Sequence, residues 1–126
     1  MSDLEEVTVN NFEDEVLKAE KPVIVIYWKK DCYHCKQFQD TLNEALEKFG
    51  DQAKFLRFDV EDEEDRESAL RSGVRSVPTT KIFYKGVLIG DIIGNISKEK
   101  VLDQMKEFLE SKEETIKNCT VIEAYL

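Results

Sequence analysis

Six consecutive residues, Val23-Ile24-Val25-Ile26-Tyr27-Trp28, are β-branched or aromatic, with no charged residue among them to face water. A strand of this kind is buried on both faces, so the fold must cover it from above and below. The next apolar pattern has a helical period. Phe38, Leu42, Ala45, Leu46 and Phe49 fall three or four apart, which predicts an amphipathic helix from Cys35 to Phe49, ended by Gly50. Phe55–Val60 reads as a second strand, and the acidic run Glu61–Asp65 leads into a helix through Ala69 and Leu70 that ends near Gly73. Thr79–Tyr84 and Val87–Ile93 form an expected hairpin across Lys85-Gly86. Ser97 caps a last periodic segment with Val101, Leu102, Met105, Phe108 and Leu109. Ahead of the buried strand, Asn10 or Asn11 is expected to cap a helix through Phe12, Val16 and Leu17, stopped by Pro22 and preceded by a short strand. This order predicts an α/β fold: a central mixed β-sheet flanked by helices on both faces.

Nothing in the 126 residues divides the chain, so one domain is expected. Charged residues reach 36%, yet the 41% apolar fraction includes seven Phe, four Tyr and one Trp, enough for a core. The net charge of −9 argues against nucleic acid or an anionic membrane as the main partner and favours docking of neutral or basic proteins. No apolar run approaches the roughly 20 residues of a membrane helix. The opening Met-Ser-Asp-Leu-Glu-Glu is acidic where a secretory leader is basic, so a cytoplasmic location is expected. Without a secretory route the glycosylation pattern Asn118-Cys119-Thr120 carries no weight.

Chemistry enters at Cys32-Tyr33-His34-Cys35, where the buried strand gives way to the amphipathic helix. Cys32 falls at or just before the helix N-terminus, where unpaired N–H groups and the positive dipole end favour a thiolate. Cys35 lies in the first turn, within reach of a disulfide with Cys32. A thiolate that attacks a substrate disulfide, with a second thiol to resolve the mixed disulfide, is the minimum machinery of thiol–disulfide exchange. The rival readings are weaker. A zinc site needs four ligands, and only His34 and distant Cys119 remain to complete one; an inert buried pair is the other.

The residues around this pair resemble the thioredoxin family. Trp28 stands four residues before Cys32, Val77-Pro78-Thr79 matches the family's cis-proline stretch, and Lys85-Gly86, Gly94 and Asn95-Ile96-Ser97-Lys98 match as well. So does Asn11-Phe12 through Val16-Leu17-Lys18-Ala19, and the likeness extends from about residue 5 to 110. The resemblance implies a thioredoxin-like thiol–disulfide oxidoreductase of the protein disulfide reductase type. Cys32 would be the exposed nucleophile and Cys35 the buried resolving thiol. Pro78 would be cis, presenting the Val77 backbone to an extended substrate, with Thr79 opening the next strand. Trp28 would pack under the active-site loop that carries Tyr33, its indole N–H donating to Asp59, and Gly94 would keep the substrate groove open. Residues 111–126 would extend a single domain spanning 1–126. The implied partners are disulfide-containing proteins and a thioredoxin reductase or small-thiol electron donor; the chain would be a monomer, with no bound cofactor or metal.

Three departures from that family stand out. Asp31 precedes the first cysteine, where thioredoxins commonly have Trp, and Tyr33-His34 replaces Gly-Pro. A His in this place resembles protein disulfide isomerases and periplasmic oxidases. It stabilises the Cys32 thiolate and raises the reduction potential, whereas Asp31 opposes it and Lys29 and Lys30 partly offset Asp31. Ile26 stands at the position of the buried Asp that helps manage the resolving cysteine's proton, and Phe55 at the position of its lysine partner. Losing both avoids a lone buried charge. Asp40 replaces the proline that kinks the helix, so a straighter helix is expected.

The remaining features have plain readings. Asp59, Glu61, Glu63 and Asp65 alternate like a calcium loop, but Glu64 and Leu70 occupy the places where that loop needs Gly and a carboxylate. Acids at a helix start complement its dipole instead. Cys119 reads as a half-buried cysteine on the C-terminal tail, or as an accessory thiol. Alternatives to the reductase are an isomerase- or oxidase-like activity, a non-catalytic binding or redox-sensing module grooved around Pro78, and cluster ligation by Cys32 between two chains.

Overall fold

The computed structural model describes residues 3–125, with side chains described through residue 118. Five strands form one sheet in the order β1-β3-β2-β4-β5, where β1 is Glu5–Glu6, β2 Val23–Trp28, β3 Lys54–Asp59, β4 Thr79–Tyr84 and β5 Val87–Ile93. β1, β3 and β2 run parallel, while β4 and β5 are antiparallel to their neighbours. Helices α1 (Tyr33–Phe49), α2 (Glu63–Arg71), α3 (Lys98–Glu110) and α4 (Lys112–Tyr125) complete the chain. The two-sided burial read from β2 is observed: Val23, Ile24, Val25 and Ile26 are fully covered.

Two separate cores account for that. Ile24, Ile26 and Ile82 face Phe38, Leu42 and Ala45 of α1 and Val101 and Met105 of α3. Val25, Tyr27, Leu56 and Phe58 face the opposite way, against Val16, Ala69 and Val74. A period of two along each strand sends alternate side chains to the two layers. Phe55 and Ile26 share the α1/α3 core, so the two apolar replacements for a charged pair do lie in one layer.

The segment before β2 differs from expectation. It is a single π-turn, Glu13–Leu17, with Lys18 N–H donating to the Glu13 carbonyl, and no side chain caps it. Asn11 instead accepts from Thr8 N–H through Oδ1 at 2.7 Å, closing the preceding turn. The wider turn takes Leu17 out of the apolar stripe, leaving it 38% exposed, while Phe12 packs edge-on against Phe58 and Phe83. A buried charge also has no counterpart in the sequence pattern: Lys81 on β4 is 3% exposed and pairs with Asp91 of β5 at 3.0 Å. The Lys85-Gly86 turn, where both residues have positive φ, pairs Tyr84 with Val87 and Phe83 with Leu88, and a one-residue shift between Ile82 and Phe83 then sets Lys81 opposite Asp91.

Two links brace α3. Lys98 donates to Asp40 of α1 at 2.9 Å, which gives Asp40 a role where a kinking proline was absent. A Cβ on Gly90 would collide with the Phe108 ring, so only glycine lets α3 approach β5 this closely. Gly90→Ala is therefore expected to destabilise the protein by about 1–3 kcal/mol, read as a lower denaturation midpoint; an unchanged midpoint would refute the close contact.

Candidate active site

The strand β2 ends at Trp28, and the chain turns into α1 through Cys32, which is the helix N-cap. Its backbone is extended (φ −116°, ψ 113°), and its sulfur accepts the N–H of Cys35 at 3.1 Å. Cysteine thus takes the place usually held by Ser or Asp at a cap. No acidic residue occupies the first turn of α1 to compete for the positive helix end. A disulfide joins Cys32 to Cys35, with Cα atoms 5.2 Å apart.

Across from the pair lies the start of β4. The Val77–Pro78 peptide bond is cis, and the Val77 carbonyl oxygen sits 3.8 Å from the Cys32 sulfur. Pro78 accepts from Gly94 N–H at 2.8 Å, and the Thr79 hydroxyl donates to the Ser76 carbonyl at 2.7 Å. Gly94 has φ +83°, the left-handed region that favours glycine, and a Cβ there would meet open space. Upstream, α2 ends in a turn in which Val74 N–H reaches back to the Ala69 carbonyl at 2.9 Å. That turn tucks Val74 into the core and aims residues 75–77 along the cysteine loop.

A cleft of about 590 Å³ opens at this junction. Cys32, Tyr33 and His34 line one wall, Arg66, Ala69 and Leu70 another, and Val74 to Val77 a third. Cys32 lines it and Cys35 does not. The expected contrast between an exposed and a buried cysteine is nevertheless narrow: Cys32 is 6% and Cys35 3% exposed. The Val77 carbonyl of the cis-proline loop lies against the Cys32 sulfur. Tyr33 is 70% exposed, accepts from Gln37 Nε2 at 3.1 Å, and meets the exposed His34 ring edge-on at 5.6 Å.

One expected contact is absent. The buried Trp28 indole N–H has no hydrogen-bond partner, although Trp28 and Asp59 are register partners of β2 and β3. Asp59 accepts instead from Glu61 N–H at 2.8 Å, because a short carboxylate at a strand end reaches its own following turn more readily. The Arg57 guanidinium lies 5.9 Å over the Trp28 ring. Glu61, which in the sequence is only one member of an acidic run, has a local role. Its carboxylate accepts from Lys30 N–H and ties the loop before Cys32 to the end of β3. Its neighbours Asp62 and Asp65 likewise serve the backbone, accepting from Asp65 N–H and Val9 N–H. Only the pattern of acids beside a helix start hinted at this. Among the described residues no three His, Cys, Asp or Glu side chains converge as metal ligands. The Cys119 side chain lies outside the described residues.

A family model, Thioredoxin, matches residues 3–107. Among curated relatives, a thioredoxin of Streptomyces clavuligerus is 33% identical over 99 residues, covering 79% of this chain and 90% of that protein. One from Pseudomonas aeruginosa is 32% identical over 95 residues, covering 75% and 86%. A chloroplastic M-type thioredoxin of Brassica napus is 33% identical over 104 residues, covering 82% of this chain and 58% of that one. With the cysteine pair joined at the head of α1 and the mixed five-stranded sheet behind it, these likenesses show that the chain belongs to the thioredoxin family and is a thiol–disulfide oxidoreductase of the disulfide reductase type.

Proposed function

We propose that this chain reduces protein disulfides in the cytoplasm, as a monomeric single domain extended by residues 111–126, drawing electrons from a thioredoxin reductase or a small thiol. Cys32 is the nucleophile. The observation that carries this assignment is that its sulfur sits at the N-cap of α1, takes the Cys35 N–H, and is the one sulfur of the pair lining the cleft. An N–H donor and a helix dipole both favour the anionic sulfur.

In the reduced protein the Cys32 thiolate attacks one substrate sulfur, and the other leaves as a thiolate that takes up a proton. The Cys35 thiol gives up its proton and its sulfur attacks Cys32 Sγ, releasing the second substrate thiol. Two electrons have then passed to the substrate, and the protein holds the Cys32–Cys35 disulfide until an external dithiol or thiol pool reduces it. Trp28 and Tyr33 flank the loop. Val77 offers backbone to an extended substrate segment, Pro78 and Thr79 line its path, and the open space at Gly94 leaves that segment room. Pro78 already spends its carbonyl on Gly94 N–H, so Val77 is the free acceptor nearest the sulfur. Ile26 packs in an apolar layer where a carboxylate would take the Cys35 proton, so water, His34 or another group accepts it instead.

His34 lines the cleft with Cys32 and favours a potential above that of ordinary thioredoxins. Equilibration of the Cys32–Cys35 pair with glutathione buffers is expected to give a midpoint above about −270 mV and below about −120 mV. A value at or below the lower figure would remove the role of His34. One near the roughly −120 mV of a strong oxidase would replace reductase with oxidase.

A further inference from the structure

Three permanent cations, Lys29, Arg66 and Arg75, line the cleft into which Cys32 opens, against a single carboxylate, Asp31. The chain as a whole carries −9. Among the side chains that line the cleft, the balance of charge is therefore opposite in sign to that of the whole chain. Arg66 shares one face of α2 with Ala69 and Leu70, three and four residues on, and that face forms a cleft wall. Arg75 follows the turn that buries Val74 and stands on the wall toward Val77. Among the described residues none of the three makes an ion pair, although Lys54, Arg57, Lys81 and Lys98 each hold a carboxylate.

The nearby acids keep their charge but are held outside the cleft. Glu61 is engaged by Lys30 N–H, Asp62 by Asp65 N–H and Asp65 by Val9 N–H, and none of the run 61–65 lines the cleft. Between the cations the surface is apolar, formed by Val60, Ala69, Leu70, Val74 and Val77. An apolar floor with cations on separate walls suits a stretch of polypeptide that bears carboxylates on either side of its disulfide.

We propose that Lys29, Arg66 and Arg75 are specificity-determining residues that select protein disulfides flanked by Asp or Glu. This rests on the reading of Cys32 as the attacking sulfur. The whole-chain charge points toward basic partners; the cleft that must receive the disulfide points the other way, and at contact distance the local charges dominate because salt screens the distant ones within about 8 Å.

The test uses three fluorogenic peptide disulfides of one length, flanked by Glu, by Gln or by Lys, with dithiothreitol as the electron source and the full chain as enzyme. The wild type is expected to favour the Glu peptide over the Lys peptide by about tenfold in kcat/KM at low salt, the ratio shrinking toward one as salt rises. In Arg66→Gln/Arg75→Gln the ratio is expected to fall to about two, and in Arg66→Glu/Arg75→Glu to invert. A wild-type ratio near one, or a preference for Lys, overturns the proposal while reduction of the Gln peptide keeps the exchange chemistry intact. Failure to reduce any of the three overturns the exchange reading itself, and the proposal with it. The wild-type salt series decides the matter even if a variant fails to fold.

Discussion

Cys32→Ser is expected to lose at least about a thousandfold in dithiol-driven reduction of a protein disulfide, because serine at neutral pH offers no comparable nucleophile. Cys35→Ser is expected to lose turnover by a different route. Its Cys32 thiolate still attacks, but no resolving thiol follows, so the mixed disulfide accumulates. The N-cap geometry accounts for the asymmetry: the N–H of residue 35 points at the Cys32 sulfur whatever side chain residue 35 carries. Stopped-flow and end-point assays separate the two. A first half-reaction retained in Cys35→Ser and absent in Cys32→Ser supports the assignment; the reverse pattern would exchange the two roles.

The second large effect lies under the site. Ile26 is fully covered in the apolar layer shared by Phe38, Leu42 and Phe55. Ile26→Asp is expected to destabilise the protein by about 3–5 kcal/mol at neutral pH, against about 1 kcal/mol for Ile26→Val. Burial disfavours the charged carboxylate and raises its pKa in the folded state above that of the unfolded chain. Between those two values the unfolded state has released the proton and the native state has not, so stability falls as pH rises, by up to about 1.4 kcal/mol per pH unit. Adding Phe55→Lys is expected to return part of the loss, since both side chains face the same layer. Denaturant midpoints from pH 5 to 8 read this directly. A flat profile for Ile26→Asp would mean that water reaches the layer.

Much of this architecture is legible in the chain because apolar period and burial are the same information. The unbroken run at 23–28 demanded two covering layers, and β2 has them. The switch from that run to helical spacing put Cys32 at a helix start, where it proves to be the cap. What escaped were facts fixed by pairing rather than by pattern. Lys81 is buried because the hairpin register sets Asp91 beside it, which local sequence does not encode. Asp59 turned to the N–H of Glu61, the donor nearer along its own chain, rather than to Trp28. The π-turn at 13–17 kept Val16 inward and let Leu17 out, which a helical template with ordinary spacing misjudges. At the site itself, counting charge over the whole chain hid the cations of the cleft, since Arg66 and Arg75 lie nine residues apart and line one cleft only after the turn at 72–74 folds back.

The central claim is that Cys32 and Cys35 divide the work of disulfide exchange. It is tested most directly by mass mapping of the covalent adduct formed when Cys35→Ser meets a protein disulfide. The predicted result is a single mixed disulfide on Cys32, absent from Cys32→Ser and released by added dithiol. An adduct on Cys119, or none on either protein, would contradict it.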